Sequence, residues 1–515
     1  MFAVNIPADG LFLAVQNKAN GDFSKNNCER IISEYIGRHI KAKPDIILLN
    51  VCYRRCLTPS EVFDSYLFDV KTDENGRACR NEFGETIKTL SPTTEGVSKY
   101  FTSFISCARE LLKNKIDIYK TAIDCIRETD CKVFLSVRMN DAHYTNNEAI
   151  NSSFALKDGG VHTVMHDGEN LDFSQEAVRN YYYFYIEELL STYTVDGIEL
   201  DWLRYPGLLP QEKCTDYSIL SDYMGKIRHL MNSFNKRLSL AIRILPTEEE
   251  NLRVGYDACG WIADGNVDIM TIENFYIPTN FELPIADWKQ KIEKRNTSGK
   301  PYKLLGGSDW AVSCVAGYDI PMTPALVKGF ADACFENGAD GVYLFNYFEE
   351  NDDSSFEFVA EENKTARLKN CFFERLNAVN EMQKLPLRSV HIGNTNKRYP
   401  IPIESEGKYS FIKTINRAFN KCKVVVGVKE KANLSLIANG AKIEKLISEP
   451  VLKGYEYVPK TELGKKGPFL YALTQVAPCV LVAEVEDFKG GELNLEIKNN
   501  SNSEVEILWI EIILE

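Results

Sequence analysis

"TVDGIELDWLRYP", residues 194–206, decides the fold. In an extended chain, alternate side chains point to opposite faces. Ile198, Leu200 and Trp202 then share one face, and Gly197, Glu199 and Asp201 share the other. The apolar face suits a covering layer of helices. The other face must look inward, and it carries two carboxylates. Two inward acids repel each other and lose hydration unless hydrogen-bonded or paired. A closed ring of parallel strands accommodates them, because its C-terminal rim is where polar side chains from several strands converge. Asp201 ends the strand and is expected at that rim, facing solvent. Glu199 lies one layer deeper, where the expected alternatives are a substrate contact and an Arg-paired support.

Working outward from this stretch, strand-length apolar runs alternate with helix-length amphipathic runs up to about residue 380. The runs are "LFLAVQ" (11–16, with 2–5 as the alternative first strand), "DIILLNV" (45–51), "KVFLSVR" (132–138), "DGIELDW" (196–202), "LSLAIR" (238–243), "VDIMTIEN" (267–274), "KLLGGSDW" (303–310) and "DGVYLFNY" (340–347). Each is followed by a helical pattern, the last of them starting at "FEFVAEENKTARLKNCFFERLNAV". Eight continuous apolar strands separated by helices predict an α/β fold, a (β/α)8 TIM barrel. An open doubly wound sheet is the competitor, but no G-x-G-x-x-G or Walker A loop follows a strand. After Leu385 the runs "YSFIKTI", "KVVVGV", "NLSLIA", "CVLVAEV", "ELNLEIK" and "EVEILWIEIIL" alternate with turn residues. They predict an all-β sandwich. The expected domains are thus a barrel over 1–384 and a β-sandwich over 385–515, the latter for packing or carbohydrate binding.

The chain has 515 residues, 44% hydrophobic and 26% charged, with net charge −13. That balance argues against nucleic acid as a partner, since phosphate binding needs basic patches. No apolar run reaches membrane-span length, so no membrane partner is expected. "MFAVNIPADG" shows no basic n-region and apolar core of a signal peptide, so a cytoplasmic protein is expected, or a secreted or periplasmic one if a leader has been trimmed away. The 14 cysteines lack C-x-x-C spacing and read as reduced, buried thiols. Oligomeric state is left open, a homo-oligomer included.

Polar side chains gather at the predicted strand ends. Glu273 ends the sixth strand in phase with Ile269 and Thr271; Asp309 ends the seventh beside Trp310; Asp141 follows the third. Strands four and six are expected nearly opposite one another across the mouth. "SVRMNDAHY" puts Ser136, Arg138 and Asn140 in one phase, with Asp141 and His143 beyond. Arg138 is expected to neutralise Glu199 or Asp201 bidentately, fixing its rotamer. Arg243 ends the fifth strand in phase with Ser239 and Ala241, Arg204 and Tyr205 follow the strand-four acids, and Asn50 and Asn346 end strands two and eight. Trp310 and Tyr276 offer faces for stacking on a sugar ring, and His143 a substrate ligand or proton shuttle. His162 and His166 have H-x-x-x-H spacing but lie in a loop-like stretch, so no metal and no other cofactor is expected. G-x-S-x-G, the mark of many serine hydrolases, is absent.

The segment "LDFSQEAVRNYYYFYIEELLSTYTVDGIELDWLRYP" resembles the strand-four region of the glycoside-hydrolase-like family 10 barrels: a helix, a tyrosine-rich approach, Asp-Gly-Ile, an acid, then Arg-Tyr-Pro. The likeness covers about 35 residues; elsewhere it is one of architecture only. The strand is also similar to the Asp-Gly-x-Asp-x-Asp-Trp-Glu strand of family 18 chitinases. Leu203 stands where that family has its proton-donating Glu, so substrate-assisted chemistry lacks its acid here. A nucleophile ending strand four and an acid/base ending strand six is the arrangement of the α-galactosidase-like barrels. These resemblances imply a glycosidase with Asp201 as nucleophile and Glu273 as acid/base. The expected reaction is retaining and exo-acting on oligosaccharides, because long segments after strands two and three would wall a pocket. Glu199, Arg138, Asn140, Asp141, His143, Arg204, Tyr205, Arg243, Tyr276, Asp309, Trp310 and Asn346 are then expected to contact substrate. The rival readings are an inverting hydrolase using Asp201 with Asp309, and a glycan-binding barrel without catalysis.

Overall fold

A computed structural model describes the chain apart from residues 96, 98, 144, 146, 156–161, 166–167, 235, 276–278, 298, 316–317, 347–356, 361–363, 368–371, 392–398, 416, 444–445 and 450–478. Eight parallel strands close into a barrel. They are β1 (Phe2–Ile6), β2 (Ile46–Cys52), β3 (Lys132–Arg138), β4 (Gly197–Asp201), β5 (Ser239–Ile244), β6 (Ile269–Ile272), β7 (Lys303–Ser308) and β8 (Gly341–Leu344). They follow one another in sequence order around the ring, and β1 pairs with β2. Every residue of β1, β2, β4, β6 and β8 is buried, as expected of parallel strands covered on both faces.

Three aspartates set the register at the N-terminal rim. Asp45 Oδ2 accepts from the Phe2 amide (2.6 Å), Asp196 Oδ2 from the Val133 amide (3.0 Å) and Asp268 Oδ2 from the Leu240 amide (2.8 Å). Each therefore precedes one strand and ties down the start of the strand before it. This holds an N–H at the start of a strand, where the ladder leaves it unpaired. Register matters because a one-residue slip would turn every inward side chain outward.

Helices follow the strands: α1 (Ala8–Lys18), α2 (Lys25–Ile40), α3 (Lys99–Lys113), α4 (Ile118–Arg127), α5 (Glu176–Thr192), α6 (Ser218–Asn232), α7 (Glu248–Arg253), α8 (Ala258–Ala263), α9 (Ile285–Arg295), α10 (Pro324–Glu336) and α11 (Phe372–Asn377). Several starts are capped by the residues that the sequence offers. Asp117 caps α4, Thr247 and Glu250 form a capping box on α7, and Thr323 caps α10 ahead of Pro324. The tyrosines of α5 anchor the long segments after β2 and β3. Phe63 stacks on Tyr181 and Tyr185 at centroid distances of 4.2 and 4.4 Å, and Phe154 stacks on Tyr181 at 4.2 Å.

Three expectations are corrected. Residues 11–16 lie within α1, and the first strand is Phe2–Ile6; Pro7 ends that strand and serves as the helix N-cap. The pattern after β8 begins not as a helix but as an antiparallel hairpin, Glu357–Ala360 against Lys364–Arg367. Its aromatic and β-branched residues Phe358, Val359 and Thr365 favour a strand. His162 lies in a strand, His162–Met165, that pairs with Gly168–Leu171, and not in a loop; His166 is outside the described residues. Cys52 and Cys56 are free, buried thiols.

By compactness the chain divides into two units. One comprises Met1–Phe275, Ala286–Leu305 and Phe345–Phe348; the other comprises Tyr276–Ile285, Gly306–Leu344 and Glu349–Glu515. The second unit contains the C-terminal β-sandwich. Its larger sheet runs β9 (Leu387–His391), β18 (Val505–Leu514), β12 (Phe419–Val428), β16 (Cys479–Phe488), β15 (Leu446–Glu449), with β10 (Ile401–Ile403) also on β18. Its smaller sheet runs β11 (Lys408–Ile415), β17 (Gly491–Asn499), β13 (Leu434–Ala438), β14 (Ala441–Lys442). In β11 and β13, buried residues alternate with more exposed ones.

Two glycines give a matched test of this packing. A Cβ on Gly197 in β4 would lie 2.4 Å from the Ser239 carbonyl oxygen and 2.7 Å from the Phe134 ring. Gly197→Ala is expected to destabilise by about 1–3 kcal/mol, the usual cost of overpacking. A Cβ on Gly225 in α6 meets nothing within 4 Å. Gly225→Ala is expected to stabilise by roughly 1 kcal/mol through helix propensity. Urea midpoints read both, and equal shifts would contradict the account of β4.

Candidate active site

At the C-terminal rim the strand register puts charges side by side. Arg138 of β3 pairs with Asp201 of β4, Asp201 with Arg243 of β5, and Arg243 with Thr271 of β6. Glu273 follows β6, in phase with Thr271. One layer deeper, Asn50, Ser136, Glu199 and Ala241 align. The inward phase read from the sequence thus places these side chains in the lumen.

Arg243 organises the rim. Its Nε and Nη2 donate to the two carboxylate oxygens of Asp201 at 3.1 and 2.9 Å, and its Nη1 donates to Glu273 Oε2 at 3.0 Å. One planar guanidinium therefore binds both carboxylates, which fixes them within about 8 Å of each other, the span of the fork plus two hydrogen bonds. Asp201 also accepts from the Leu203 amide at 3.1 Å. The Phe345 ring lies 3.5 Å from Arg243 Cζ, and Arg204 Cζ lies 5.5 Å from the same ring. Arg243, Asp201 and Glu273 have at most 2% of their side-chain surface exposed. Pairing offsets the desolvation that isolated charges would suffer there.

Three expectations are corrected by this geometry. Asp201 does not face solvent; it is fully buried beneath the clamp. Arg243 rather than Arg138 grips Asp201 bidentately. Strands four and six are not opposite; they flank β5, and only that closeness lets one arginine reach both acids.

Arg138 is engaged elsewhere. Its Nη1 donates to Asp141 Oδ2 at 2.7 Å, and its guanidinium lies 4.4 Å from the Tyr53 ring centroid. Asp141 Oδ1 lies 2.6 Å from His143 Nδ1 and accepts from the His143 amide at 3.1 Å. Burial favours the neutral acid, but His143, Arg138 and Arg204 outweigh it and hold the Asp141 carboxyl well below the usual aspartate range. The His143 ring packs edge-on against Tyr205, which in turn meets Phe275.

Tyr205 has φ 51°, a left-handed conformation uncommon for a bulky side chain. Its carbonyl accepts from Asn140 Nδ2 at 3.1 Å and Asn170 Nδ2 at 3.3 Å, and Asn170 also holds the Gly207 carbonyl at 3.0 Å. Asn140 is thus a brace for the Arg204–Gly207 turn. Such strain, roughly 1–3 kcal/mol, persists where surrounding bonds over-determine it, and it clusters at functional sites. Asn346, after β8, also has a left-handed φ of 52°. Deeper in the lumen, Ser136 Oγ donates to Glu199 Oε1 at 2.7 Å.

Asp309 and Trp310 belong to the second compact unit. There the Trp310 amide donates to Asp309 Oδ1 at 2.7 Å, and the Asp309 carbonyl accepts from the Thr279 and Ser308 hydroxyls, each at 3.0 Å. Tyr276 is outside the described residues. Sequence reading overlooked Tyr53, Arg54 and Phe345. Arg54 Nε donates to the Asp141 carbonyl at 2.6 Å. Phe345 was hidden because an aromatic at a strand end reads as core. Arg54 was legible only as half of an Arg-Arg pair directly after a buried strand.

No family model matches the chain, and no characterised protein matches it by sequence. Solved structures do. The cycloisomaltooligosaccharide glucanotransferase of a Paenibacillus species is 8% identical, with TM-score 0.34, over 99% of this chain and 57% of that one. This chain therefore spans little more than half of that protein. The glycoside hydrolase domain of PgaB (BpsB) from Bordetella bronchiseptica is 10% identical, with TM-score 0.37, over 67% of this chain and 93% of that one. A GH27 β-L-arabinopyranosidase from Geobacillus stearothermophilus is 10% identical, with TM-score 0.38, over 96% of this chain and 95% of that one. Structural neighbours of the barrel are thus glycoside hydrolases, at a similarity too low to carry an argument about residues or substrate.

The depressed Asp141 pKa gives a pH test. A carboxyl whose folded pKa lies below its unfolded value stabilises above the unfolded pKa and loses that contribution as pH falls through the folded one. Asp141→Asn is expected to cost about 3–5 kcal/mol at pH 7, the usual effect of removing one partner of a buried pair. The gap from the parent should be the same at pH 5 and narrow only below about pH 4. Urea midpoints across that range measure it; a gap that closes between pH 7 and pH 5 contradicts the assignment.

Proposed function

We propose that the protein is a glycoside hydrolase acting on oligosaccharides, with Asp201 and Glu273 as its catalytic pair. One observation carries this reading: two carboxylates on the C-terminal rim of a barrel, held on one guanidinium within the separation that glycosidases use, roughly 5–5.5 Å for retention and 6.5–9.5 Å for inversion. A span of about 8 Å or less through Arg243 admits retention, the outcome proposed. Asp201 attacks the anomeric carbon as the glycosidic C–O bond breaks, and Glu273 gives its proton to the departing oxygen. Water then cleaves the glycosyl ester, with Glu273 taking a proton from it.

Arg243 shapes this chemistry in two ways. It holds Asp201 bidentately in a single rotamer, as a nucleophile requires. Nη1 occupies Glu273 Oε2, so an acid role requires the sugar to displace it and close that carboxyl off from water. Tyr205, presented by its strained turn beside His143, supplies an aromatic face at the mouth. The long segments after β2 and β3 suit a walled pocket and exo-action. The resemblance of residues 171–206 to the glycoside-hydrolase-like family 10 strand points the same way.

A second reading, glycan binding without catalysis, is favoured by the complete burial of Asp201 under two guanidinium bonds. Turnover of aryl glycosides separates the two. On the hydrolase reading, Asp201→Asn abolishes activity on every substrate. Glu273→Gln lowers turnover of unactivated glycosides by about 10²–10⁴-fold, the typical worth of a general acid. It spares the first step for dinitrophenyl glycosides, whose leaving group needs no proton. Product anomers followed by NMR report retention. Full activity in both variants would remove the assignment, and sugar binding with no turnover by the parent would favour the second reading.

A further inference from the structure

Arg204 stands out among the charges of the rim. Only 7% of it is exposed, yet among the described residues its guanidinium has neither a hydrogen bond nor an ion pair, and its Nε is buried without a partner. Its guanidinium lies 5.5 Å from the Phe345 ring, which it shares with Arg243. The nearby carboxylates are committed elsewhere: Asp201 and Glu273 to Arg243, and Asp141 to Arg138 and His143. Burial, and then the like charges of Arg138 and Arg243, outweigh the attraction of Asp141 and Asp201 and push the Arg204 pKa below its usual value. A buried guanidinium without an acceptor is costly, and native structures rarely leave one so unless something else supplies the oxygens.

The sequence holds Arg204 in place. Tyr205 is locked in its left-handed conformation by Asn140 and Asn170, and the Leu203 amide is tied to Asp201. Arg204 lies between those two fixed points. Its side chain is thereby kept beside the catalytic carboxylates while making no bond to them.

We propose that Arg204 is a specificity-determining residue that receives an anionic group on the sugar, so that the substrate is an acidic saccharide. The fork of a guanidinium matches two oxygens of a carboxylate, sulfate or phosphate, and the bond is charge-assisted. A uronic acid is the simplest such sugar. The chain's net charge of −13 repels anions at long range, so a preference for them must arise locally. The inference rests on the glycosidase reading only in taking the ligand to be a sugar.

Calorimetric titration of the full chain tests it, with glucuronate and galacturonate as carboxylates, glucose 6-phosphate and glucose 6-sulfate as the other anions, and glucose and galactose as neutral references. The parent is expected to bind at least one anionic sugar about tenfold or more tighter than its neutral counterpart, a difference of roughly 1.4 kcal/mol. Which anion wins identifies the group. Arg204→Gln should erase the preference, bringing the affinities for acidic and neutral sugars within about twofold of each other. Arg204→Lys, which keeps the charge but not the fork, should retain part of it, and it serves alone if the Gln variant does not fold. Equal binding of acidic and neutral sugars, no binding of any acidic sugar, or a preference that survives in Arg204→Gln would each overturn the proposal. Arg204-dependent binding without turnover of any glycoside would sink the hydrolase reading and leave this one standing. Turnover of neutral glycosides with no such preference would do the reverse.

Discussion

The bonds from Arg243 to Asp201 and Glu273 are the constraint on which the site depends. They put three charges in the dry mouth of a barrel, where each alone would be strongly disfavoured. Together they form a unit that neither acid could leave without stranding a buried charge. The same bonds set the separation of the two carboxylates and their orientation toward the lumen. Flat aromatic surfaces complete the arrangement: Phe345 lies against Arg243 and Tyr53 against Arg138, where their ring faces favour a guanidinium.

Around this core the protein supports its charges from the backbone. Aspartates before β2, β4 and β6 fix the register of the strands preceding them, and register decides which side chains face inward. Asn140 and Asn170 hold the turn after β4 in a conformation that Tyr205 would not choose alone. Arg54 ties the segment after β2 to the Asp141 carbonyl. The rim is therefore preorganised: its side chains are positioned by hydrogen bonds from the surrounding chain.

Much of this was legible along the chain. Period-two phasing assigned Glu199, Asp201, Arg243 and Glu273 to the inward face, because alternation in a strand is a local property. Strand–helix alternation gave the barrel, because parallel strands buried on both faces leave continuous apolar runs. The reading failed where a pattern fits two periods. Residues 11–16 are apolar enough for a strand but form α1 once Pro7 has ended the first strand, and Glu357–Ala360 and Lys364–Arg367 pair as strands where the pattern predicts a helix. It failed again over partners. Arg138 and Arg243 are equivalent in phase and chemistry, and nothing in the sequence says which of them meets Asp201.

The sequence by itself determined which residues look inward, where the strands end and which charges must share the lumen. Those follow from alternation, apolar length and the cost of burying an acid. Tertiary structure alone decided that Arg243 binds both acids, that Asp141 takes Arg138, and that Arg204 is buried with no acceptor among the described residues. The reason is geometric: pairing between neighbouring strands depends on ring order, stagger and ångström-scale reach, and Arg243 stands 42 and 30 positions from the two acids it binds.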